Sequence, residues 1–164
     1  MLRELTIRNF ALIEELNIDL KSGLTVLTGE TGAGKSIIID AVSMILGGKT
    51  DKGFIRNGEK KAYIEAAFCD LNSDELIEFL KKEELFDGDD ELILSREISL
   101  TGKSLSRVNG VLVPISSLKE LAAFLMEIHG QHDYHSLLSN ENHLKYLESL
   151  ADNDYFNKAE ALKE

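Results

Sequence analysis

Eight consecutive residues carry the strongest chemical signal in the sequence: Gly29-Glu30-Thr31-Gly32-Ala33-Gly34-Lys35-Ser36. They satisfy G-x-x-x-x-G-K-[ST], the phosphate-binding loop known as Walker A. The spacing has a physical reason. Glycines at 29, 32 and 34 allow backbone dihedrals that a Cβ would forbid, so the loop can turn several N–H groups onto one phosphate group. A helix beginning near Lys35 adds unsatisfied N–H groups and the positive end of its dipole. Lys35 is expected to reach the β- and γ-phosphates of ATP, and the Ser36 hydroxyl to ligate Mg²⁺. The candidate nucleotide-binding residues are therefore Gly29, Glu30, Thr31, Gly32, Ala33, Gly34, Lys35 and Ser36.

Such a loop works only between a strand and a helix. Before it lies Leu24-Thr25-Val26-Leu27-Thr28, an apolar and β-branched run of strand length. After it, Ile37 to Leu46 is long enough for three turns of helix, and Gly47-Gly48 stops it. Further upstream, Leu2–Arg8 and the strictly alternating Glu15–Leu20 predict two strands, with a turn at Lys21-Ser22-Gly23. Downstream, Ala62–Cys69 predicts a strand. Ser73 is placed to cap a short helix over 74–82, with acids in its first turn and lysines in its last. Leu92–Ile98 and Ser104–Val108 predict a strand pair around Thr101-Gly102. Asn109-Gly110 is a tight-turn dipeptide. A helix with an apolar face is predicted over 118–127, and a charged helical run begins near Asn142. Cys69 reads as a small buried strand residue.

Composition narrows the class. The chain has 164 residues, 43% apolar and 29% charged, which fits one soluble globular domain with a sizeable core. No apolar run approaches the ~20 residues needed to span a bilayer, so no membrane role is expected. One cysteine permits no internal disulfide and predicts a reducing, cytoplasmic compartment. The net charge of −11 sets 18 Lys and Arg against 29 Asp and Glu. That balance argues against strong DNA binding by this segment alone, since neutralising phosphates needs clustered cations.

The rest of an ATPase site is not found. Hydrolysis needs an acid at the end of an apolar strand and a residue to activate water. Ile37-Ile38-Ile39-Asp40 has the composition but falls where the helix must be. Leu46-Gly47-Gly48-Lys49 lacks the serine of a Leu-Ser-Gly-Gly signature and reads as a helix stop. No complete catalytic set is present. His129, His132 and His135 are spaced like metal ligands, but no fourth donor stands at a matching distance, so they read as polar loop residues.

Three segments together resemble the amino-terminal part of bacterial DNA-repair proteins in the SMC-like branch of the ATP-binding-cassette ATPases. They are Leu5–Ile13 running into Gly23–Ser36, then Ile55-Arg56-Asn57-Gly58 with the strand after it, then Val108-Asn109-Gly110 through Ile128-His129-Gly130-Gln131-His132. The resemblance implies an α/β P-loop NTPase fold: the N-terminal lobe of an ATP-binding-cassette head with a β-rich subdomain. It implies that residues 1–140 form this half-head, carrying Walker A and a Q-loop, and that 141–164 lead into a truncated coiled coil. Gln131 matches the Q-loop glutamine and would sit near Mg²⁺ and the γ-phosphate. Arg56 falls where such heads carry an arginine near nucleotide or DNA, and a solvated loop arginine is the alternative.

The partners implied are the C-terminal half of the same protein, which would bring the signature and the acidic strand, and a second head that sandwiches ATP. DNA would be reached through the full-length assembly. ATP binding would close the heads and hydrolysis would reopen them, in double-strand-break repair and recombination. The setting would be the cytoplasm, at the nucleoid. This piece alone is expected to be inactive. Two rivals remain open: a chromosome-organising SMC head, which shares the same loop, and a small P-loop phosphotransferase, which would need a lid of arginines.

Overall fold

Alternation of apolar and polar residues builds the sheet. A computed structural model of the chain describes residues 1–29, 34–86 and 88–128. Its strands are β1 (Leu2–Phe10), β2 (Ile13–Asp19), β3 (Lys61–Cys69), β4 (Glu91–Ser99), β5 (Ser104–Val108) and β6 (Val111–Val113). They form one antiparallel sheet in the order β2-β1-β3-β4-β5-β6. Leu5 and Ile7 of β1 stand beside Ala66 and Ile64 of β3, which stand beside Leu94 and Arg96 of β4. Period-two geometry puts all of these on one face.

That face is covered by the three helices α1 (Lys35–Ile45), α2 (Asp74–Lys82) and α3 (Ile115–Leu125). Ala41, Met44 and Ile45 of α1, Leu76 and Leu80 of α2, and Leu118 and Leu121 of α3 join the sheet's apolar residues in one core. The opposite face stays polar, with Thr6 donating to Asn17 Oδ1 at 2.9 Å and Lys61 paired with Glu97 at 2.8 Å.

The chain leaves the sheet after β2, runs through the phosphate loop and α1, and is tied back to β1. A short 3-10 turn, Lys52–Phe54, makes the connection. The Ala11 N–H donates to the Phe54 carbonyl at 2.6 Å, Arg56 N–H to Asn9 at 2.9 Å, and the Phe10 and Phe54 rings stack 5.0 Å apart. Asn9 and Ala11 take φ of 52° and 51° to make the turn between β1 and β2.

Two expectations are corrected. The run Leu24–Thr28 has no strand partner among the described residues, and Leu24 and Val26 are 91% and 68% exposed. A strand exists only beside a neighbour, and no described segment lies alongside it. Cys69 closes β3 at a half-buried position, its Sγ 3.5 Å from Asp70 Oδ2, rather than lying in the core. The turn at Asn109-Gly110 leads into β6, a three-residue strand too short to read from the sequence. The compact units are Met1–Glu127 and Ile128–Glu164, and beyond Ile128 the second lies outside the described residues.

Candidate functional site

Gly34 sets the entrance to α1. It is the residue before the helix and takes φ 99°, ψ −7°, a left-handed conformation that glycine reaches without penalty. Its carbonyl accepts the N–H of Ile38 at 3.1 Å, which starts the helix. A Cβ at this position would meet no atom within 4 Å, so the demand is conformational and the space above it is open. The first turn carries neither an acidic residue nor a side-chain cap. A helix start presents its first backbone N–H groups outward along the axis, and the dipole there favours an anion.

Lys35 closes the base of the loop. Its ammonium donates to the carbonyl of Gly29, and the site of a Gly29 Cβ lies 3.7 Å from Nζ. Gly29 and Lys35, at the two ends of the loop, are therefore in contact. Glu30, Thr31, Gly32 and Ala33 lie outside the described residues, as do Gln131 and the histidines 129, 132 and 135. Among the described residues no group of three His, Cys, Asp or Glu side chains could hold a metal ion.

Arg56 is engaged elsewhere. Its guanidinium donates to the Leu12 carbonyl at 2.7 Å and approaches Glu14 at 3.5 Å, pinning the β1–β2 turn.

One residue at the far end of α1 from the loop was not singled out by its sequence. Arg96 occupies an inward position of β4 between Leu94 and Ile98 and is only 4% exposed. It donates to the carbonyls of Met44 at 2.6 Å and Gly48 at 2.7 Å, at the back end of α1, and its Nε donates to Ser104 Oγ at 3.2 Å. Burial pushes its pKa below the ordinary arginine value, yet a guanidinium keeps its proton in proteins. A signal was available: a charge in the core phase of the alternation Leu92, Leu94, Arg96, Ile98.

A concavity of about 730 Å³ lies on the polar face of the sheet, away from α1. It mixes Arg8 and Lys61 with Glu65 and Glu97, so it is no cradle for phosphates. Tyr63 lies there, its pKa raised by burial and by its hydrogen bond to Glu65.

The fold, an antiparallel sheet with helices on one face and a glycine loop before the first helix, is like that of solved SMC ATPase heads. A solved structure from work on ATP-driven dimerization and DNA-stimulated activation of SMC ATPases superposes with a TM-score of 0.64, over 92% of this chain and 99% of that one, at 22% identity. The chain belongs to the family described as AAA domain, which it matches over residues 4–164. It is 52% identical over 152 residues to the DNA repair protein RecN of Bacillus subtilis, a match covering 92% of this chain and 26% of that protein. It is 47% identical over 153 residues to RecN of Halalkalibacterium halodurans, covering 92% and 27%. The chain thus spans about a quarter of the length of these relatives. The fold and the resemblance read from the three sequence segments are borne out.

Proposed function

We propose that this chain is the ATP-gripping part of an SMC-like ATPase head that serves DNA double-strand-break repair and recombination, in the bacterial cytoplasm at the nucleoid. The observation that carries it is the open start of α1: Gly34 in the left-handed conformation, no acid in the first turn, and Lys35 folded onto Gly29. These features fit a bound triphosphate. The glycine leaves room where a side chain would stand, and the N–H groups and ammonium supply the only charge sign a phosphate accepts.

Residues Gly29 to Ser36 would hold the β- and γ-phosphates, with Lys35 turning from Gly29 to the anion. Ser36 and Gln131 would hold Mg²⁺, the amide of Gln131 being able both to accept and to donate. The bound nucleotide supplies a phosphoanhydride bond whose hydrolysis can drive a change of state. The chain's residues would bind and orient it, and no described residue stands ready to activate water. The groups that do so would come from a C-terminal half of the same protein. The exposed apolar run Leu24–Leu27 supports this, because it is a strand in composition with no neighbour among the described residues. The sandwich of two heads around ATP, and its closing and reopening, follow from the same reading. Similarity to RecN, 52% identical over 92% of this chain, supports the repair setting.

The test is ATP turnover by this chain alone and mixed with the C-terminal half of the protein, with Lys35→Ala as control. Turnover only in the mixture, lost in Lys35→Ala, is the expected result. Turnover by the chain alone would sink the split-head reading.

A further inference from the structure

The back end of α1 is held more elaborately than a helix stop requires. Gly47 takes φ 93°, its N–H donating to Met44 O at 3.1 Å, and the Gly48 N–H donates to Ser43 O at 2.9 Å. This pair of bonds is the Schellman closure, sufficient by itself to end a helix. Two other elements nevertheless converge on it. From the sheet, Arg96 donates to Met44 and Gly48. From α3, Lys119 packs so closely that a Cβ on Gly47 would lie 2.5 Å from its Cγ and 3.4 Å from its Cα.

Among the described residues the front of α1 is held less. The helix's three fully buried residues, Ala41, Met44 and Ile45, all stand in its second half, while Ile37 and Ile38 meet the core only in part. The phosphate-binding end therefore projects from an anchored base. At 1.5 Å per residue the eleven residues of α1 are about 16 Å long, so a tilt of roughly 3.5° at the base moves the front by about 1 Å. A misplacement of that size is what positioned chemistry tolerates badly.

We infer that Arg96 is a positioning residue for nucleotide binding: it fixes the base of the phosphate-loop helix to the sheet and so aims Lys35 and Ser36. The inference rests on the proposed ATP-binding role of the loop. Three features suit Arg96 to the task. A guanidinium can bond two carbonyls and a hydroxyl at once from a rigid fork. Its positive charge sits at the negative end of the helix dipole. Its Nε bond to Ser104 at 3.2 Å orients the fork from the neighbouring strand, so β4 and β5 both register the position of α1. A lysine in its place has one nitrogen and can satisfy only part of this set.

The test compares full-length wild type with Arg96→Met, Arg96→Lys and Ser104→Ala. Mg-ATP affinity is measured by calorimetry well below each variant's melting temperature, with circular dichroism as the check of folding and the KM and kcat of turnover alongside. Arg96→Met should stay folded and bind ATP about tenfold more weakly, with Arg96→Lys between it and wild type, and the loss in KM rather than in kcat. Ser104→Ala should cost about two- to threefold. A role in stability alone would lower melting temperatures and leave the affinity of folded protein unchanged, and that result overturns the inference. Should Arg96→Met fail to fold, wild-type affinity in both Arg96→Lys and Ser104→Ala overturns it instead. Wild type that binds no ATP would sink the functional reading and this inference together. Wild type that binds, equalled by every variant, would sink the inference alone.

Discussion

Gly34 and Arg96 mark the two ends of one helix, and the sequence treated them differently. Gly34 was legible because its role is local. A left-handed residue before a helix, followed by Lys and Ser, is a short-range pattern, and the structure gives it φ 99°. Gly34→Ala should lower stability by about 1–2 kcal/mol, the cost of holding an L-residue in that conformation, because no neighbour lies where the Cβ would go. Thermal unfolding would measure it, and ATP affinity should fall as well, since relief of the strain would turn the loop. Arg96 was not legible in the same way. Its acceptors lie about fifty positions away at Met44 and Gly48, and only its phase in β4 hinted that a charge was pointed into the core. Cys69 erred in the other direction. Strand composition suggested burial, but the last residue of a strand lies at the sheet's margin, and the thiol meets Asp70.

At the scale of elements, periodicity and caps did most of the work. The helix α2 spans Asp74–Lys82, as its cap and charge pattern indicated. Ser73 Oγ accepts the N–H of Leu76 at 3.3 Å, Asp74 and Glu75 stand at the positive end, and Lys81 and Lys82 at the negative end. Ser73→Ala should cost about 1 kcal/mol in a denaturant titration, an unchanged slope showing that the same surface still unfolds. The elements that were missed or misread share one cause. Whether Leu24–Thr28 pairs depends on a neighbour that its own residues do not name. Whether Val111–Val113 pairs depends on β5 curling back through Asn109-Gly110, which places Val108 beside Val111. The helix α1 begins at Lys35 as the phosphate-loop motif indicated, whereas α3 starts three residues earlier than its apolar pattern suggested, because the first turn of a helix need not face the core.

For the whole molecule, the sheet's order matters more than its size. β1 and β2 are a hairpin, and β3 to β6 are a meander in which each strand pairs with the next. The two blocks join only through β1 and β3. Between the end of β1 and the start of β3 lie about fifty residues, and they hold β2, the phosphate loop and α1. Joining the blocks closes that loop, at an entropic cost that local pairing does not meet. Loop closure of this size predicts an order of assembly: hairpin and meander early, the β1–β3 seam late, and the loop proposed to grip phosphate last, because its helix rests on the finished face. A ligand that recognises only the last-formed part cannot help the chain over a barrier crossed before that part exists. ATP should therefore slow unfolding while leaving the refolding rate unchanged, an asymmetry that stopped-flow measurements with and without nucleotide would reveal. If the loop binds ATP as proposed, this topology makes nucleotide a latch on the folded chain: it would lengthen the life of the folded state and have no part in creating it.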